Sequence, residues 1–435
     1  MANSTKEVKL DNGDGIILDI GIVGAGIAGL AAAAALSRLG HRVDVYERSK
    51  FSNEVGAAIN IGPNAVPVMR ALGFDLERAQ LLEAQEGKQF NAATMETNYH
   101  GNYEDFTSRY GAPWYFSHRV DLHNEFRRLA VESNGEFPGS NLHLGLSVQS
   151  VDCDEGLIVF GDGTKVKKDV IIGADGIHSS VAPCVLGSDI PAAEVNECAY
   201  RFLIPTEKLV ANPKTAPLFQ ENKTTFHVAA TNDRRLVWYP CRSGKIQNFV
   251  GLHPPKEGRE TKEDWHAQGK VSDLIATFSD YHQSLVEICR NAEDLKLWQL
   301  QYRAPVDRWT KGRVILIGDA VHPMLPHQGQ GANQAIEDAG ALGIMLSNLQ
   351  SQEDIFRRLE LVQKLRRNRA AAMQIFSNVG QDQSDRIANE VAPFIEGPVP
   401  KNQGEFHLWN FGYNVMERGE EMWKQELARQ APYQE

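Results

Sequence analysis

The chain is poor in cysteine and has no long apolar run. Its five cysteines, Cys153, Cys184, Cys198, Cys241 and Cys289, are scattered through 435 residues. Odd in number and without ligand-like spacing, they build neither a disulfide framework nor a zinc site, and they fit a reducing compartment. No window approaches the length of a membrane span, because the alanine-rich run Ile27–Leu39 is interrupted by Ser37 and Arg38 and stops at Gly40. Residues 1–15 are polar and lack the apolar centre of a secretion signal, so the cytosol is the expected location. Basic charge is also in short supply: 45 Lys and Arg face 56 Asp and Glu, a net charge of −11. That balance argues against nucleic acid or an anionic membrane as the main partner. There is no repeat and no low-complexity segment. The remainder, 42% hydrophobic and 23% charged, is the composition of a globular protein long enough for two domains.

What is present is organised around Gly21-Ile-Val-Gly-Ala-Gly-Ile-Ala-Gly-Leu30. The apolar run from Ile16 to Val23 reads as a buried parallel strand. Gly24 then permits a tight turn, Gly26 lets backbone approach a pyrophosphate, and Gly29 lets the new helix pack close to the sheet. The helix runs from Ile27 to about Leu39, a second strand follows at His41–Tyr46, and Glu47 closes it where a carboxylate can take both hydroxyls of a ribose. Strand, turn, helix, strand and acid in this order make a dinucleotide-binding unit, without deciding between NAD and FAD.

Further along, Gly56-Ala-Ala58 and the extended Ile59–Ile61 suggest backbone pressed against a flat ligand. Arg119 stands just before a helix whose apolar positions are Leu122, Phe126 and Leu129; it either reaches a phosphate or pairs with Asp121 or Glu125. Leu142–Phe160 reads as two strands and Val166–Ile172 as a third, delivering Asp175-Gly176 to a strand's carboxyl end. From Cys184 to about Leu300 the pattern is β-rich, with one helix over Val271–Ala292. The strand Arg313–Ile317 ends at Gly318-Asp319, and a Pro- and Gly-punctuated loop feeds a helix starting near Ala332, whose free N–H groups favour negative charge. Charged amphipathic helices are expected over Ile355–Phe376 and Leu408–Ala431.

Three separated motifs, the glycine unit with Glu47, Gly173-Ala-Asp-Gly-Ile-His-Ser179, and Gly318-Asp-Ala-Val-His-Pro323, together resemble the signature of flavin-dependent aromatic hydroxylases. The likeness runs through Tyr200-Arg-Phe-Leu-Ile-Pro205 and Pro326-His-Gln-Gly-Gln-Gly331, covers about residues 17–380, and is nearest the salicylate-hydroxylase-like branch, notably its fungal members. The resemblance implies an α/β fold, the p-hydroxybenzoate hydroxylase fold: a Rossmann-type FAD-binding domain from residues 16–75, 117–183 and 301–350, and an inserted, mostly antiparallel substrate domain from residues 76–116 and 184–300. A C-terminal helical segment, 351–435, follows. It implies FAD as cofactor, with Gly24, Gly26 and Gly29 at the pyrophosphate, Glu47 at the adenosine ribose and Arg48 beside it. Ala57 and Ala58 would lie near the flavin, Arg119 at the phosphate–sugar region, Asp175 near both FAD and NAD(P)H, and Asp319 at the ribitol. Gly331, Ala332 and Asn333 would face the pyrimidine ring. One departure stands out: Ala182 occupies a position where the family commonly carries arginine.

The activity implied is NAD(P)H- and O₂-dependent hydroxylation of a phenolic or salicylate-like small molecule through a flavin C4a-hydroperoxide. Epoxidation or oxidative dearomatisation in secondary metabolism is an alternative on the same cofactor, and a non-catalytic flavoprotein scaffold is another. No metal is called for, and a homodimer is left open. The protein's own task is to hold the ring, activate it and exclude water. Arg201 is the first candidate to bind a phenolate, against a structural salt bridge. Tyr239, His227 and His327 are the other catalytic candidates, each weighed against a packing role.

Overall fold

The computed structural model describes residues 8–50, 57–133, 135, 137–220, 223–255, 269–379 and 386–430; Gly56 and the stretch ahead of it lie outside them. Among these residues no helix is long and apolar enough to cross a membrane. One half is built on a six-stranded sheet in the order Thr310–Lys311, Val314–Leu316, Val170–Gly173, Asp19–Val23, Arg42–Glu47, Asn141–Leu144. All neighbours but the first pair run parallel. The central strands read as continuous Val, Ile and Leu because both faces are covered. Helix Ile27–Arg38, with Ala31–Ala35 fully buried, lies between helices Gly331–Met345 and Arg119–Val131. The chain leaves Asp19–Val23 toward Arg42–Glu47 on one side and places Val170–Gly173 on the other. That arrangement creates the switch point at which open α/β sheets bind ligands.

The second half is a seven-stranded sheet in the order Glu293–Tyr302, Ala193–Pro205, Ile246–His253, Arg235–Cys241, Thr225–Ala230, Glu86–Asn91, Thr97–Asn102. Only Thr225–Ala230 and Glu86–Asn91 pair in parallel. One face, carrying Phe202, Phe249, Trp238 and Leu236, packs on Leu274, Phe278, Leu285 and Ile288. The other face turns toward the parallel half. Asn248 Oδ1 accepts the Ala58 N–H at 2.9 Å, and Tyr239 packs in one cluster with Ala58.

Three expected elements are divided. Val271–Ala292 is two helices, Val271–Thr277 and Gln283–Arg290, because the break lets Phe278 and Tyr281 both enter the core, their rings 5.0 Å apart. His282 caps the second helix, its Nδ1 accepting the Ser284 N–H. Val166 and Ile172 fall on separate strands: between them Lys168 buries its ammonium between Asp19 and Asp44, at 2.7 and 2.5 Å. Leu142–Phe160 spans three strands rather than two, the first of them joining the parallel sheet. The final helical stretch is Gln403–Phe411 and Val415–Gln430.

Candidate active site

Strand order brings the three motifs together. Asp319, Asp175, Gly24 and Glu47 follow the carboxyl ends of four adjacent strands, so all four line one edge of one sheet. The glycines differ in what surrounds them. At Gly24, with φ +101°, a Cβ would stand 2.4 Å from the Ala174 carbonyl, and at Gly29 it would stand 2.0 Å from the Gly24 carbonyl. At Gly26 nothing lies within 4 Å among the described residues. Gly24 and Gly29 are therefore demanded by packing, whereas Gly26 leaves an open cradle at the N-terminus of Ile27–Arg38, where free N–H groups suit a pyrophosphate. Glu47 accepts the Ala25 N–H and the Ser49 N–H, both at 2.8 Å, and Arg48 is exposed beside it.

Asp175 is spent on its own loop, accepting from Ser179 Oγ at 2.5 Å and from the Ser180 N–H and hydroxyl at 2.7 and 2.9 Å. It shapes the second loop, which then presses on Gly24. Ala182 is buried with Val23, Val185 and Trp309, so this position is part of the core. A cation not singled out in the sequence ties the loops instead: Arg303 donates to the Ile177 carbonyl at 2.9 Å and to the Ala320 carbonyl at 3.0 Å.

Asp319 is accessible from the cleft but otherwise hemmed in. Burial raises its carboxyl above the ordinary range, opposed by the charges of His322, Arg119 and Arg303. Its Oδ1 lies 4.0 Å from where a Gly331 Cβ would be, which sets it beside the start of helix Gly331–Met345. There the N–H groups of Gly331, Ala332 and Asn333 precede the first intrahelical bonds. The Asn333 side chain is already committed: Oδ1 accepts the Gly62 N–H at 2.8 Å, and Nδ2 donates to Gly329 and Asn60 carbonyls at 2.9 and 3.2 Å. Arg119 starts its helix with its N–H on the Ala57 carbonyl at 2.9 Å. Its suggested partners are taken, Asp121 by Arg242 and Glu125 by Arg128, so no ion pair diverts its guanidinium among the described residues.

Beneath this loop lies a buried ionic network. Asp338 accepts the Gly318 N–H at 2.9 Å and Arg366 Nε at 2.8 Å, and pairs with His322 at 2.6 Å. Glu337 pairs with Arg366, with Arg369 at 2.8 Å, and with the Asn64 amide at 2.6 Å. Burial alone would raise both carboxyls, but the surrounding arginines and His322 outweigh it and hold them below the usual range. An acidic pair in the middle of an otherwise apolar helix, with arginines concentrated on Ile355–Phe376, was the available signal for this network.

On the facing sheet, Arg201 stacks over Trp298 at 4.0 Å, its Nε is buried without an acceptor, and no carboxylate pairs with it among the described residues. Burial lowers its pKa to about 10, so it stays charged at neutral pH. Tyr239 shares its face, with its ring 4.8 Å from Phe116. Burial raises its phenol, and the Arg201 charge pulls it the other way. His327 reaches across to Glu197 of the Arg201 strand at 2.8 Å. His227 does not join them. It pairs with Trp238 on the opposite face, stacked at 4.6 Å, and burial drives it down to about 3. A neutral imidazole behind the sheet is not a base for this cleft; alternation along the strand, invisible in a lone histidine, put it there.

Residues 18–377 match the model of the FAD binding domain family. A FAD-dependent monooxygenase of Aspergillus candidus is 37% identical over 92% of this chain and 94% of its own length. Hispidin-3-hydroxylase of Neonothopanus nambi is 34% identical over 81% of this chain and 86% of its own. A salicylate hydroxylase substrate complex superposes with TM-score 0.73 at 23% identity, covering 93% of this chain and 98% of that one, which bears on fold alone. The chain belongs to the FAD binding domain family. It is an FAD-dependent monooxygenase with a Rossmann-type cofactor domain.

Proposed function

We propose that this enzyme uses NAD(P)H and O₂ to hydroxylate a phenolic or salicylate-like aromatic molecule in the cytosol. The observation that carries the reading is Arg201: a guanidinium whose Nε is buried and which has no carboxylate partner among the described residues, on the sheet face that carries Tyr239. FAD, when bound, would supply the redox chemistry, with hydride from NAD(P)H and O₂ giving one oxygen atom to the ring and the other to water. In this reading Gly26 and the N-terminus of Ile27–Arg38 receive the pyrophosphate, with Gly24 and Gly29 shaping the loop. Glu47 takes the adenosine ribose, with Arg48 alongside. Arg119 meets the phosphate–sugar region and Asp319 the ribitol. Ala57 and Ala58 bring backbone close to the flavin. The N–H groups of Gly331, Ala332 and Asn333 stabilise negative charge at the pyrimidine edge. Asp175 acts through the loop it braces.

Arg201 holds the substrate as phenolate or carboxylate, which raises electron density in the ring to be attacked. Tyr239, neutral because burial raises its phenol, donates a hydrogen bond from the same face. The two sheets close over the ring and exclude water. The test is a panel of phenolic acids scored for substrate-stimulated NAD(P)H oxidation and for products heavier by one oxygen atom. NAD(P)H consumption that no phenol accelerates would overturn the reading.

A further inference from the structure

A pocket of about 360 Å³ opens beside the substrate face, lined in part by Val195, Glu197, Asp233, Tyr302, Leu325 and Asn378. Its size is that of a small-molecule site, and nothing in the cofactor edge uses it. Its wall belongs to Ala193–Pro205, the strand that carries Arg201. Val195, Ala199, Val250 and Leu325 share one cluster, and Arg201 stands opposite Val250 in the sheet, so Arg201 and the pocket wall lie on one face although the strand's register shifts between Glu194 and Cys198. Leu325, from the loop between Asp319 and Gly331, lies over Ala199 between the two ends. From Arg201 to Glu197 the strand spans roughly 13 Å, longer than a single substituted benzene ring.

The chemistry of the two ends differs. Arg201 offers positive charge and no acceptor. The pocket offers acceptors, among the described residues, in Glu197, of which Oε2 alone is engaged, by His327, and in Asn378 Oδ1, buried without a donor; the Asp233 carboxylate beside them already accepts from Arg234 and Thr231. Two carboxylates disfavour an anionic arm, and unsatisfied acceptors call for hydroxyl donors.

The geometry points to a two-part substrate: a ring whose acidic group is held by Arg201, extended by a neutral, hydroxyl-bearing aromatic arm seated against Glu197 and Asn378. This rests on Arg201 as the substrate anchor. Leu325 is then the residue that divides short from long substrates.

The test is calorimetric titration of the FAD-loaded enzyme with a single-ring phenolic acid and with the same ring carrying a hydroxyphenyl arm on a two-carbon linker. The extended compound is expected to bind at least tenfold more tightly. Val195→Trp, which fills the pocket, and Glu197→Gln, which keeps its shape, are each expected to erase that gain. Arg201→Ala is expected to weaken both compounds. Equal affinities, or a Val195→Trp variant that weakens both compounds alike, overturn the second subsite. If the single-ring acid is still oxidised in that case, the hydroxylase reading stands; if neither compound binds, both readings fall.

Discussion

The two sides of the cleft are built in different ways. The cofactor edge is mostly backbone: three turns at the ends of parallel strands, with glycine wherever a Cβ would collide. The face proposed for substrate is all side chain: Arg201, Tyr239 and Glu197 come from separate positions on the antiparallel sheet. Backbone sites tie residue type to local spacing, so they leave a motif. Side-chain sites depend on which face a strand presents, and a one-residue slip would exchange His227 for its neighbours.

Substitutions at Gly29 and Gly26 break that comparison most directly. Gly29→Ala puts a Cβ 2.0 Å from the Gly24 carbonyl. The variant is expected to purify without flavin and with a lowered melting temperature. Gly26→Ala meets no atom of the described residues within 4 Å. It should melt like the parent when FAD is absent, yet bind FAD about a hundredfold more weakly, ~2.7 kcal/mol, as read by absorbance titration of the apoprotein. Next comes the network beneath the loop. Arg366→Met removes the cation that Glu337 and Asp338 share, leaving the first to Arg369 and the second to His322, and denaturant unfolding should show a loss of about 3–5 kcal/mol.

On the substrate face the expected pattern reverses, with function lost and stability kept. Arg201→Ala should retain FAD while kcat/KM falls by about two orders of magnitude, ~2.7 kcal/mol of transition-state binding. Its melting temperature should not fall, because a buried guanidinium with no carboxylate carries a desolvation cost that the variant relieves. The smallest effect belongs to His227. Its imidazole is held at about 3 when folded and titrates near its ordinary 6.5 when unfolded. The unfolded chain therefore binds more protons between those values, so stability is intact above pH 6.5 and declines as pH falls toward 3. His227→Phe should flatten that slope without changing kcat or the pH profile of turnover; a shifted profile would return His227 to the active site.

Much of the molecule was legible beforehand. The spacing Gly24, Gly26, Gly29 with Glu47, and the positions of Asp175 and Asp319, anticipated the edge where the motifs meet. Helix Ile355–Phe376 was read with its observed bounds. Less visible were Asp175's commitment to Ser179 and Ser180, the Asn333 staple, and Arg303 bridging two loops. Each is a hydrogen bond whose partner no local pattern names. The division of Val271–Ala292 was hidden for a related reason: core packing of Phe278 and Tyr281 outweighed helical continuity.

What the sequence alone determined is the nucleotide-binding unit and the class it belongs to. Its spacing is local, the Gly29 position lying against the Gly24 carbonyl five residues before it, and the motif stays recognisable even though the Gly24 turn is also pressed by Ala174 from the end of a distant strand. What the tertiary structure decided is the use of the charged and polar side chains. Among the described residues Arg201 is left without a carboxylate, His227 is turned away, Glu197 and His327 meet across the cleft, and Glu337 and Asp338 are neutralised by distant arginines and His322. Those outcomes follow from strand register and helix packing between segments far apart in the chain, where charge finds its partner only once the sheets are assembled.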